Sequence, residues 1–370
     1  MGETAVGAAE LVARTAELVD IPSVSHHERA LADHLEAVLG QVAGLDLSRH
    51  GDNVVARTHL GRRQRLILAG HSDTVPPDGN EGARIAGDVV HGLGASDMKA
   101  GLAVFVELAR AVPEPALDVT YVFYAGEEVE ARHNGLGHLA RDHPELLAGD
   151  AAVLGEPTGG DIEAGCQGSL RLGVMLAGRR AHAARPWMGV NAVHRLGPVL
   201  DVVAGYRGRR PVLDGCEFAE ALQAVGVEGG VAANVVPDAA YLTLNHRFAP
   251  DRSPEEAEAH VRELLAPALG PGDAVEVLDV AAGARPDLDH PLLAALAGGA
   301  GEPGAPGGVS EVRAKLGWTD VARFAALGIP ACNLGPGDPT LAHRADERAE
   351  GTRMVATYRR LERLLRHGPL

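Results

Sequence analysis

The chain has 370 residues, 46% of them hydrophobic but only 3% aromatic, and carries a formal net charge of −16. That length exceeds one typical domain and predicts two, with aliphatic, alanine-rich cores. The negative charge speaks against nucleic acid and anionic membrane as partners.

Three widely spaced cysteines, Cys166, Cys216 and Cys332, exclude a disulfide framework and a CxxC zinc site. The N-terminus lacks a basic and an apolar signal region, and no run of 18 apolar residues occurs. The expected location is the bacterial cytoplasm. Lys99 and Lys315 are the two lysines in a chain that otherwise uses arginine. The sequence assigns neither a role.

In chain order, residues 28–40 read as a helix and 65–70 as a buried strand. A second helix is predicted from Asp97, whose carboxylate suits a helix start. Apolar runs at 120–126, 151–155 and 329–335 read as further buried strands. Strands alternating with helices predict an α/β domain, a mostly parallel sheet flanked by helices. The middle differs. Strands are predicted at 169–178, 221–230, 240–248 and 274–280. Helices are predicted at 189–206, where Pro198 interrupts the pattern, and at 253–267, opened by a Ser253/Glu256 capping box. The order β-α-β-β-α-β is that of a split βαβ (ferredoxin-like) α+β domain. The expected boundaries are a discontinuous domain of 1–167 and 283–370 with an insertion at 168–282. Residues 297–308, rich in Gly and Pro, are expected to form a surface loop.

The chemistry gathers where the strands end. The run 65–70 leads into His71-Ser72-Asp73, 120–126 into Glu127-Glu128, and 151–155 into Glu156. Asp97 opens a helix, and His343 follows the last strand within "HRADE". Open α/β sheets bind ligands beyond the carboxyl ends of their strands. Each piece alone reads as an ordinary surface turn. Together His71, Asp97, Glu127 or Glu128, Glu156 and His343 predict one rim. Two imidazoles with several carboxylates and no cysteine suit a catalytic divalent ion. Two ions about 3.5–4 Å apart need a bridging carboxylate and leave one carboxylate to act on water. In extended chain Glu127 and Glu128 point opposite ways, so one can bind metal while the other faces substrate.

The segments "AGHSDTVP", "HGLGASDMKAG", "YAGEEVE", "LGEPT" and "GPGDPTLAHRADE" resemble, in order and spacing, the motifs of the di-zinc amidohydrolase and peptidase family. The resemblance spans nearly the whole chain. "EAGCQGSLR", "GGVAANVVPDA" and "NHRFAPDRS" are most similar to the actinobacterial desuccinylase branch of that family. The resemblance implies a zinc-peptidase-like catalytic domain with an inserted lid and dimerisation domain. It implies two Zn2+ per subunit, for which Co2+ or Mn2+ can substitute. His71 and Glu156 would hold one ion, Glu128 and His343 the other, with Asp97 shared. Glu127 would be the general base, and Asp73 would orient His71. His182 would support the oxyanion in trans within a homodimer. Ser169, Asn234, Arg247, Gly317, Trp318 and Thr319 would contact substrate. The implied reaction removes the succinyl group from N-succinyl-L,L-2,6-diaminopimelate. The alternative is a related N-acyl amino-acid amidohydrolase, such as an acetylornithine deacetylase, or a dipeptidase. Cys166-Gln167 replaces the basic pair of other branches, which leaves the hold on the substrate's far end unassigned. On the residues alone, Arg247 is either a solvent-facing strand arginine or a carboxylate clamp. Trp318 is either pocket wall or core.

Overall fold

The computed structural model of the protein describes residues 6–298 and 312–369. The expected Gly/Pro-rich loop lies outside the described residues from position 299 onward. The chain divides into two compact units. One is Met1–Gly165 with Pro286–Arg313 and Arg323–Leu370; the other is Cys166–Arg285 with Ala314–Ala322.

The first unit is built on an eight-stranded sheet. Its order is Leu45–His50, Asn53–Thr58, Asp118–Tyr124, Arg65–His71, Ala151–Leu154, Ala331–Asn333, Ile162–Ala164, Val312–Ala314. The strands from Asp118–Tyr124 through Ala331–Asn333 are parallel. Antiparallel strands flank them. The sheet is therefore mixed, parallel at its centre. The central strands are buried along nearly their whole length, which is why they read as unbroken apolar runs. Leu66, Leu68, Val119, Tyr121 and Phe123 pack in one core with Leu11, Leu18, Leu31, Leu102, Phe105 and Leu361 from four helices.

Two helix starts differ from the sequence reading. The helix expected from Asp97 begins at Ala100. Asp97 itself has φ −120° and ψ 93°, outside helical values, within a wide turn over Ala95–Lys99. Its carboxylate faces two imidazoles rather than capping the helix. The helix then packs hard on the neighbouring strand end: a Cβ at Gly101 would lie 2.2 Å from the Gly155 carbonyl oxygen. The helix expected over 189–206 spans Leu196–Gly205. Pro198 falls in its first turn, where a missing N–H costs nothing, so it does not interrupt the helix.

The second unit holds an antiparallel sheet in the order Ala221–Gly229, Ala239–Phe248, Gly168–Ala177, Ala274–Ala281. Leu170, Leu172, Val174 and Leu176 alternate onto one face. There they meet Val199 and Val203 from one helix and Val261 and Leu265 from Pro254–Leu265. The Ser253/Glu256 capping box is present at 3.2 and 2.8 Å. The element order is that of a split βαβ sandwich. Residues 314–322, which the sequence reading left with the larger domain, group here. The Gln167 N–H donates to the Lys315 carbonyl, the Cys166 thiol approaches the Thr319 carbonyl at 3.6 Å, and the Trp318 indole donates to the Ala282 carbonyl at 3.1 Å. Those bonds join positions over 30 residues apart, so linear spacing gave no sign of them.

Glu220, 7% exposed, anchors this unit. It accepts from Arg209 at 2.7 Å and from the Ala249 N–H at 3.2 Å, with Arg252 at 3.5 Å. Burial alone would raise its pKa, but these partners hold it below 4.5. The folded state therefore binds this proton less readily than the unfolded chain. The contribution is present above pH 4.5 and is lost as pH falls through the depressed pKa. Glu220→Gln is expected to lower Tm at pH 7 by the equivalent of about 1–3 kcal/mol. In thermal melts down to pH 3 the gap to wild type should close. A pH-independent gap would refute this account.

Candidate active site

His71 is the last residue of its strand, and its parallel neighbours on either side end at Tyr124 and Leu154. The chain leaves this strand towards one neighbour and later returns to the other. Such a reversal opens a crevice at the strand ends. Glu127 and Glu128 follow Tyr124, Glu156 follows Leu154, and Asp97 precedes the Ala100–Ala111 helix. His343, at φ 62°, sits on the loop after Ala331–Asn333.

Asp97 lies at the centre of the group. Its Oδ1 faces His71 Nε2 at 3.1 Å, and its Oδ2 faces His343 Nε2 at 3.6 Å. Glu128 Oε1 is 2.8 Å from His343 Nε2. Among the described residues, three sets each bring their donor atoms within 4.8 Å of one another: His71, Asp97 and Glu156; Asp97, Glu128 and His343; and His71, Glu127 and Glu128. The first two share Asp97.

The electrostatics suit a cation. Burial would lower the His71 pKa, yet hydrogen bonds to Asp73 and Asp97 and the charge of Glu156 hold it well above 6.5. The hydrogen bond to Glu128 pushes His343 up to about 9, against burial and with the charge of Asp97. A field strong enough to keep a proton on each Nε2 also favours a divalent ion there. The donor set of two imidazoles and three carboxylates is that of a hard-to-borderline metal, and a carboxylate whose two oxygens face different histidines fits a bridge.

The pair Glu127-Glu128 is not in extended chain, as its sequence suggested. The strand stops at Tyr124, and Gly126 turns the backbone at φ +70°. A Cβ there would lie 2.4 Å from the His133 carbonyl oxygen. Four consecutive N–H groups then donate to side chains. Ala125 bonds Asn53 Oδ1 at 2.9 Å, Gly126 bonds Glu28 Oε1 at 3.1 Å, and Glu127 and Glu128 bond the two oxygens of Asp73 at 3.0 Å each. Asp73 thus does more than face His71 Nδ1, which its carboxylate approaches at 3.5 Å and its carbonyl at 3.1 Å. It also accepts from Ser25 Oγ at 2.8 Å. Burial would raise its pKa, but these donors and the His71 charge hold it at about 2.

Glu28, Asn53 and Glu347 escaped the sequence reading. Ser25 and Glu28 stand at S-x-x-E spacing before a helix, which imitates a capping box, yet both side chains turn to other partners. Glu347, 2% exposed, accepts the N–H groups of Gly94, Ser96 and Asp97 at 2.9–3.0 Å. It ties the loop of His343 to the turn of Asp97. Burial pushes its carboxyl up to about 7 against the pull of those donors. Buried Lys99 donates to the Ile21 carbonyl at 2.8 Å, and burial lowers its pKa to about 7.

The remaining sequence candidates belong to the second unit. His182 is exposed on a short strand paired with Val235–Val236, and the Ala183 N–H bonds the Asn234 carbonyl at 2.8 Å. His182 Nδ1 accepts the Ala184 N–H at 3.0 Å, which leaves the ring proton on Nε2 as an outward donor. Arg247 and Ser169 are paired across adjacent strands, both half-buried on the sheet face opposite the helices. Trp318 is half-buried beside exposed Gly317 and buried Thr319.

Residues 67–367 match Peptidase family M20/M25/M40. The chain belongs to that family. M20 family metallopeptidases are metal-dependent, and this member hydrolyses amide bonds. It is 51% identical over 352 residues to the Mycobacterium tuberculosis protein DapE, covering 95% of this chain and 96% of the relative. It is 47% identical over 341 residues to a Corynebacterium glutamicum protein named succinyl-diaminopimelate desuccinylase, covering 90% of each. The crystal structure of a Staphylococcus aureus tripeptidase shares the M20 fold with a TM-score of 0.80 at 21% identity, covering 98% of each chain. No helix among the described residues is long and apolar enough to cross a membrane.

Proposed function

We propose that this M20 hydrolase removes the succinyl group from N-succinyl-L,L-2,6-diaminopimelate, giving succinate and L,L-diaminopimelate in the cytoplasm. The chemistry rests on one observation above others: the two oxygens of Asp97 face two different histidines, each inside its own donor set. The substrate rests on near-full-length identity to the relative named for that reaction.

Two Zn2+, replaceable by Co2+ or Mn2+, would be held by His71, Asp97 and Glu156 and by Asp97, Glu128 and His343. When bound they supply an acidified water and a polarised amide carbonyl. Glu127 takes the proton of the attacking water as the new C–O bond forms. It then gives that proton to the amine nitrogen as the C–N bond breaks. His182, supplied in trans by a second subunit, donates its Nε2–H to the oxyanion. The Nδ1 contact with Ala184 supports that tautomer. Arg247 and Ser169, with Asn234 and Gly317–Thr319, bind the substrate's carboxylates and backbone; planar Arg247 suits a bidentate carboxylate contact.

The test is amine release from a panel of N-succinyl and N-acetyl amino acids and dipeptides, with metal content measured alongside. The proposal expects about two zinc equivalents per chain, as a paired-metal site requires, and the highest kcat/KM on N-succinyl-L,L-diaminopimelate. Preference for an N-acetyl amino acid or a dipeptide would overturn the substrate. A fully active monomer would overturn the trans role of His182.

A further inference from the structure

The turn that presents Glu127 is held by three side chains, and two of them lie outside the metal-binding motifs. Asp73 fixes its second half through the Glu127 and Glu128 N–H groups. Asn53 and Glu28 fix its first half through Ala125 and Gly126. All three are buried, at 1%, 6% and 3% exposure for Asp73, Asn53 and Glu28. Gly126 is the joint of this turn: it has no side chain, and its φ of +70° is one that glycine adopts and leaves freely. Rotation there would swing Glu127 relative to Asp97 and His71. Glu28 ties the N–H of that joint at 3.1 Å.

Glu28 does this at the expense of its own helix. It is the residue preceding Arg29–Leu39, yet it makes no side-chain cap bond there. We propose that Glu28 is a positioning residue for Glu127, acting through the Gly126 amide. The proposal rests on the reading of Glu127 as general base.

The position is suited to substitution. Glu28 and Gly126 line a cavity of about 530 Å³ together with His26, His50, His133 and His138. Truncation at 28 would enlarge that open cavity instead of leaving a sealed void, so the fold is expected to persist.

The experiment compares Glu28→Ala and Glu28→Gln in metal-loaded enzyme, alone and with Glu127→Gln. The substrate is whichever N-acyl amino acid or dipeptide the wild type hydrolyses, so a wrong substrate assignment leaves the test intact. Glu28→Ala should lower kcat by about 10–100-fold, as losses of supporting partners do. KM and metal equivalents should stay unchanged. Glu28→Gln keeps the acceptor oxygen and should restore most of the rate. In the Glu127→Gln background Glu28→Ala should cost nothing further, because its effect runs through the base. An undiminished kcat in Glu28→Ala, equal impairment of the alanine and glutamine variants, or full additivity with Glu127→Gln would each overturn the proposal. If Glu127→Gln alone stays active, the reading of the base has failed instead.

Discussion

Glu127→Gln is expected to lower kcat by about 10²–10⁴-fold, the usual worth of a general base, while metal content and Tm remain those of the wild type. Glutamine keeps the shape of the side chain, and the 127 N–H still donates to Asp73. The two donor sets that share Asp97 do not include Glu127. A third set, His71 with Glu127 and Glu128, does include it. Metal stoichiometry therefore decides between the two glutamates. If Glu128 is the ligand, Glu128→Gln loses metal and Glu127→Gln does not. If the roles are reversed, so is the pattern. Glu128 sits 2.8 Å from His343 Nε2, which favours the first outcome.

Asp97→Asn is expected to have the broadest effect. Asp97 is the residue common to the sets completed by Glu156 and by His343. Asparagine keeps one acceptor oxygen but turns an NH2 donor towards one of the histidines. If two ions bind as proposed, one would lose a ligand and both would lose the charge shared between their sites. Metal content should fall from about two equivalents to one or fewer, and activity by roughly a thousandfold or more, since a bound ion supplies several kcal/mol of transition-state stabilisation. The wild-type Tm should drop on chelation, because ligand bound to the native state alone stabilises it. In Asp97→Asn that drop should shrink. A variant that keeps two equivalents and the full chelation effect would remove Asp97 from the bridging role.

Much of the site was legible because its residues sit at punctuation points of the chain. His71 ends a strand that is buried on both faces, and Glu127, Glu128 and Glu156 follow two more; such strands announce themselves as apolar runs. Charged or imidazole side chains just beyond them have one place to go, the carboxyl-end rim. The inserted α+β unit was legible for a similar reason. Alternation in 239–248 and the capping box at Ser253 are local signals, and the helices and strands they mark obey local rules.

Other features followed from contacts between distant residues. Asp97 carries the residue type of a helix cap, and only its non-helical backbone and two facing imidazoles make it a shared carboxylate. Ser25 and Glu28 carry the spacing of a capping box, and only the approach of Asp73 and Gly126 diverts them. Glu347 reads as one more acid in "HRADE" until the turn at Gly94–Asp97 closes over it.

The sequence by itself determined which residue types stand at the strand ends, and therefore the chemistry open to this protein. The tertiary structure decided how those residues divide the work. Local preference acts between neighbours, but an oxygen of Asp97 finds His343, and Glu28 finds Gly126, only after strands far apart in the chain lie side by side. Buried polar groups must then take the partners that packing leaves within hydrogen-bond reach.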